Sequence, residues 1–158
     1  MSVHAIDMEA SIRFYVDVFG MEQVPSPDFE DPVTWLQLDD QQLHLFLRDD
    51  TTAPPPFHHL GLDVDDFEAV YLKATELGVL DRSIAVPVRE LPGGEVQMYL
   101  RDPAGNLVEV DWPDAATLDR SVMGEIPKLA DFLPQSEEAL EARLYRTREA
   151  APLGGGGE

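Results

Sequence analysis

His44, His59 and Glu109 carry the side chains in this chain best suited to a divalent metal, and an internal repeat sets them at matching places. Residues 58–79, H-H-L-G-L-D-V-D-D-F-E-A-V-Y-L-K-A-T-E-L-G-V, read as a short strand, an Asp cap, a helix and a closing Gly. Residues 2–21, S-V-H-A-I-D-M-E-A-S-I-R-F-Y-V-D-V-F-G-M, are the same unit with Asp7 over Asp66 and Gly20 near Gly78. The last strand after the first unit carries His44 in Q-Q-L-H-L-F-L, and the last after the second carries Glu109 in G-N-L-V-E-V-D. A single His or Glu on a half-buried strand is usually only solvated. Two imidazoles and a carboxylate at repeat-equivalent positions point instead to one metal site shared between the halves.

The elements that must position these residues follow from alternation. In 42–47, Gln42, His44 and Phe46 share one face and Leu43, Leu45 and Leu47 the other. His59, Gly61 and Asp63 oppose Leu60, Leu62 and Val64, and Leu107, Glu109 and Asp111 oppose Val108 and Val110. His58 points away from His59. The aliphatic faces suit packing against helices over 9–19 and 67–77, capped by Asp7 and Asp66 and closed by Gly20 and Gly78. Strands are expected near 2–6, 21–25, 33–38, 41–48, 58–64, 84–90, 95–101 and 106–112. Pro103 and Gly105 of D-P-A-G-N make the turn that returns the last strand. Gln37, Gln42 and Tyr99 are the polar groups left to line a cleft; Phe14, Tyr15 and Trp35 read as packing residues.

At 158 residues and 44% hydrophobic content the chain supports one globular domain. It lacks cysteine, so disulfides, thiolate metal sites and a Cys nucleophile are excluded. A formal charge of -20 opposes nucleic-acid binding, because phosphates would be repelled. No run is apolar enough to span a membrane and the N-terminus lacks a signal pattern, so the reading is cytoplasmic. The acidity fits either a host with high internal salt or an ordinary acidic protein.

The expected division is one domain over 1–112, with modules 1–48 and 57–112 joined by the proline-rich linker D-D-T-T-A-P-P-P-F, then a helical extension over 113–150 and a disordered tail over 151–158. Within the extension, 136–148 reads as a helix started by Ser136, with a narrow stripe of Leu140 and Leu144 that favours a homodimer.

In combination, D-M-E-A-S-I-R-F-Y-V-D-V-F-G-M at 7–21, Q-L-H-L-F at 42–46, H-L-G-L-D-V-D-D at 59–66 and Y-L-R-D-P-A-G-N-L-V-E at 99–109 resemble the vicinal oxygen chelate superfamily of glyoxalases, bleomycin resistance proteins and extradiol dioxygenases. The resemblance implies an α+β fold of two β-α-β-β-β modules whose strands form a U-shaped sheet around a central cleft. It also implies a divalent metal held by the first and last strands of the modules, here His44, His59 and Glu109. Fe, Mn, Ni, Zn or Co suits that donor set, with open positions for two neighbouring substrate oxygens. The expected activity is that of a lyase, isomerase or ring-cleaving dioxygenase on a small chelatable carbonyl or diol, with Glu109 or a nearby water as the base. Arg101 is the only basic residue noted near the final strands, which ranks phosphonates and CoA esters lower. The alternative is a metal-free small-molecule-binding protein of the same fold.

The fourth ligand position departs from the family's pattern. Carrying H59-x6-D66 back from Asp7 lands one residue before Met1, while His4 matches Asp63, four residues further along the strand. That offset is roughly 13 Å along a strand, against a metal bond of roughly 2.1 Å, so His4 serves only if the strand slips in register. The expectation is therefore that the chain lacks the start of its first strand and that a His codon lies immediately upstream of Met1.

Overall fold

Asp7 and Asp66 start the two long helices through the same bond. The Asp7 carboxylate accepts the Ala10 N–H at 3.0 Å and Asp66 accepts that of Ala69 at 2.9 Å, giving α1 (Met8–Phe19) and α2 (Phe67–Leu77). Each helix ends where a glycine takes a left-handed backbone, Gly20 at φ 70° and Gly78 at φ 67°, a conformation that a Cβ disfavours. The computed structural model of the protein describes residues 1–48, 54–55 and 57–144. Most of the expected linker and the expected tail lie outside the described residues.

All eight expected strands form. β1 (Ser2–Ala5), β2 (Glu22–Val24), β3 (Val33–Leu38) and β4 (Gln41–Leu47) make one sheet in the order β1-β4-β3-β2. β5 (His59–Leu62), β6 (Val88–Glu90), β7 (Val96–Arg101) and β8 (Leu107–Trp112) make a second in the order β5-β8-β7-β6. Outer strands pair parallel and inner hairpins antiparallel in both, so the architecture is two β-α-β-β-β modules. The register repeats as well: Ser2 lies opposite His44 and Gly61 opposite Glu109. β1 has not slipped, and His4 stands opposite Phe46.

The aliphatic faces meet the helices as alternation requires. Leu36, Leu43 and Leu45 pack with Phe14, Tyr15 and Val18; Met98, Leu100, Val108 and Val110 pack with Phe67, Val70 and Ala74; and the two sets form one continuous core. Side chains also join the modules at equivalent points. Gln41 Nε2 donates to the Asp63 carbonyl at 2.9 Å, and Asn106 Nδ2 donates to the His4 carbonyl at 2.8 Å. Tyr15 adds a buried bond from its hydroxyl to Asp102 Oδ2 at 3.0 Å.

The C-terminal extension is helical as expected, but in short pieces, and the helix expected over 136–148 is shorter within the described residues. The extension is a 3-10 turn (Ala115–Thr117) followed by α3 (Arg120–Met123), α4 (Leu129–Phe132) and α5 (Glu137–Leu140). Ser136 does cap α5, its Oγ accepting the Ala139 N–H at 3.1 Å. The helix then stops, because the Leu144 N–H goes to the Glu95 carboxylate at 3.2 Å and Leu140 remains 48% exposed, leaving too little burial to hold further turns. The part of the expected helix beyond 144 lies outside the described residues.

Candidate functional site

Because the helices cover one face of each sheet, alternation sends the polar residues of every strand to the other face. On the second sheet that face brings His59 and Glu109 together: His59 Nε2 lies 3.6 Å from Glu109 Oε2. The His59 Nδ1 atom sits 2.8 Å from the Phe57 carbonyl, a pure acceptor, so Nδ1 carries a proton and Nε2 is the ring atom that faces the carboxylate. Two atoms each about 2.1 Å from one ion lie roughly 3 to 3.5 Å apart at octahedral or tetrahedral angles, so this pair fits two adjacent ligands. Glu109 is buried, whereas His59 is about two-fifths exposed, its side chain at 41%.

His44 occupies the corresponding face of the first sheet. Its ring stacks on Trp35 with centroids 4.5 Å apart, and its Nε2 contacts Gln42 Oε1 at 2.8 Å. Burial, together with the nearby chain N-terminus, lowers the His44 pKa and favours the neutral, ligand-competent ring. The structure does not bring His44 to the His59 and Glu109 pair, and among the described residues no three His, Asp or Glu side chains converge as a metal site. Gln37, opposite Gln42 in the β3–β4 register, is exposed and donates to the Asp39 carbonyl at 2.8 Å.

Tyr99 lies beside the ligand pair, its ring 6.4 Å from that of His59. Its hydroxyl donates to Gln97 Oε1 at 3.1 Å and accepts from Arg89 Nη2 at 3.2 Å. Burial first, then the Glu109 and Asp111 carboxylates, raise its pKa despite Arg89, so the phenol keeps its proton. Asp111, two residues from Glu109 on the same face, is pushed up to about 7 by burial and by Glu109. Asp111 therefore keeps its proton up to about neutral pH.

Sequence reasoning missed Gln97, Arg89 and Asp111 as members of this cluster. Arg89 corrects the expectation that Arg101 is the only basic residue near the final strands. Arg101 instead pairs with the buried Asp81 at 3.2 Å, while Arg89, on β6 opposite Gln97, faces the site. Alternation along β6 carried that signal: Val88 packs toward the core, so its neighbour Arg89 must face the other way.

A cleft of about 520 Å³ lies between β1 and β5, lined by Ser2, His4, Pro54, His58, His59 and Asn106 among others. His59 therefore borders both the cleft and the carboxylate.

A family model described as Glyoxalase/Bleomycin resistance protein/Dioxygenase superfamily matches residues 2–110. Comparison with curated proteins found no match. Among solved structures, the chain is similar to lactoylglutathione lyase from Agrobacterium tumefaciens, at 25% identity and TM-score 0.52 over 70% of this chain and 89% of that one. It is also similar to a glyoxalase family protein from Enterococcus faecalis, at 24% identity and TM-score 0.57 over 71% and 94%. A third neighbour is a mutant of the fosfomycin resistance protein FosX from Listeria monocytogenes, complexed with Mn(II) and 1S,2S-dihydroxypropylphosphonic acid. It matches at 15% identity and TM-score 0.54 over 70% and 86%.

Proposed function

Because the chain belongs to the Glyoxalase/Bleomycin resistance protein/Dioxygenase superfamily, we propose that it is a divalent-metal-dependent enzyme acting on a small molecule with two neighbouring oxygens. The observation that carries this reading is the His59 and Glu109 pair, with His59 Nδ1 held by the Phe57 carbonyl so that Nε2 faces Oε2 at 3.6 Å. The FosX neighbour holds Mn(II) on the same fold, which supports a divalent ion here. His44, on the first sheet, would supply the third ligand, with the first module of a second copy of the chain facing the pair. A homodimer is thus part of the reading. When bound, the metal supplies Lewis-acid stabilisation of negative charge on a substrate oxygen.

The protein's own groups divide the remaining work. Asp111, whose carboxyl is pushed up to about 7, can give a proton to carbon or oxygen and take it back, with the Glu109 carboxylate beside it. Tyr99 stays protonated and can donate to a developing oxyanion once a substrate displaces Gln97. Gln42 fixes the His44 ring, and Trp35 stacks on it.

Metal analysis of protein purified without chelator tests the proposal. About one equivalent of Mn, Fe, Co, Ni or Zn per chain is expected, falling to below about a tenth in His59→Ala and in His44→Ala. A content near zero, unchanged by either substitution, would favour the second reading, a metal-free small-molecule-binding protein. The geometric point in its favour is that the described residues of one chain do not bring three ligands together.

A further inference from the structure

Arg89 differs from three cations that are paired with carboxylates. Lys73 has Glu76 at 2.7 Å, Arg101 has Asp81 at 3.2 Å and Lys128 has Glu90 at 3.6 Å. Among the described residues, Arg89 meets only neutral acceptors, Gln97 Oε1 at 3.3 Å and the Tyr99 hydroxyl at 3.2 Å, with its guanidinium carbon 4.9 Å from the Tyr99 ring centroid. Its Nε is buried and has no hydrogen-bond partner. A chain with 31 acidic and 11 basic residues has ample carboxylates for its cations. A guanidinium with neutral contacts and a spare N–H, on the strand face shared with Tyr99 and Glu109, has donors left over for an anion.

We propose that Arg89 anchors an oxyanion carried by the substrate, a carboxylate or a phosphonate, placing the substrate's neighbouring oxygens toward His59 and Glu109. The inference rests on the polar face being the substrate site, and it replaces a neutral carbonyl or diol with a small acid. Trp35 Nε1, a second buried donor without a partner, stands on the polar face of the first sheet. Each sheet therefore offers one unsatisfied N–H on the face that bears the candidate ligands.

The test uses chelator-treated full-length protein with ¹⁵N-labelled arginine, following the Arg89 Nε–H resonance, identified by its loss in Arg89→Lys. Methylphosphonate and malonate are the anionic probes and propane-1,2-diol the neutral one. Either anion should move the resonance and the diol should not, and Arg89→Gln should weaken anion binding about tenfold or more. The tighter anion identifies the source of the oxyanion. Arg89→Lys, keeping the charge but losing the fork, should bind at intermediate strength, which keeps the test decisive if Arg89→Gln does not fold. No movement with either anion, or equal affinity in Arg89→Gln or Arg89→Lys, overturns the proposal. Binding that survives His59→Ala while metal uptake is absent separates failure of the metal reading from failure of this one.

Discussion

Asp111 is the residue whose environment makes the sharpest solution prediction. Burial and Glu109 push its carboxyl up to about 7, above the ordinary value of 3.8 that applies to the unfolded chain. Between those values the folded state holds a proton that the unfolded state has released, so stability falls as pH rises through that window and is flat above it. Asp111→Asn removes the penalty. In chelator-treated protein it should stabilise the fold by about 1 kcal/mol more near pH 8.5 than near pH 5.5, after discounting for partial exposure and coupling. Urea denaturation at the two pH values checks this, and an increment independent of pH would show that the carboxyl titrates normally. Asp81 has the opposite sign. Burial raises its pKa, but bonds from Ser83 and Arg101 outweigh it and hold the group below its ordinary value. Its contribution is present above that value and is lost as the pH falls through the folded pKa.

At the scale of elements, the turn between β7 and β8 does more than reverse the chain. Asp102 Oδ1 accepts the N–H groups of Ala104 and Asn106 at 2.9 and 2.8 Å, while Oδ2 accepts the Tyr15 hydroxyl of α1 and the Asn106 side chain. One carboxylate therefore closes the turn and ties the first module's helix to it. Tyr15→Phe leaves that carboxylate three donors and should cost about 1 kcal/mol, whereas Asp102→Ala strands several buried donors and should cost about 3 kcal/mol or more. Thermal or chemical unfolding measures both, and equal costs would count against this division. The helix caps are simpler: Asp7→Ala or Asp66→Ala should each cost about 1 kcal/mol, because each strands one N–H in an exposed first turn.

At the scale of the whole molecule, the seam between modules uses two equivalent amide bonds in different surroundings. The Gln41 bond is exposed and the Asn106 bond part-buried, so Asn106→Ala should destabilise by about 2 kcal/mol and Gln41→Ala by less than about 1 kcal/mol. Since one core runs through both modules, unfolding should remain a single transition in each variant. A separate transition for one module in Asn106→Ala would show that the amide, and not the shared core, holds the halves together. The net charge of -20 adds a global term: self-repulsion opposes compaction, so the melting temperature should rise between about 0.02 and 1 M sodium chloride. A flat response would mean that the acidic groups are spaced too widely to repel.

Much of this protein was legible without coordinates because period-two alternation, Asp caps and closing glycines are local signals, and duplication printed them twice. Those signals determined the eight strands, the two helices, the aliphatic faces and the placing of His59 and Glu109 on polar faces. Only the tertiary structure decided which polar groups share a location. His59 and Glu109 meet because β5 and β8 are hydrogen-bonded neighbours, whereas His44 belongs to the other sheet, on β4 between β1 and β3. Arg89 and Asp111 gained their significance the same way, through the β6–β7–β8 register that surrounds Tyr99 with them. The C-terminal helix shows the converse: the Ser136 cap began α5, but its length depended on burial, which no local pattern supplies.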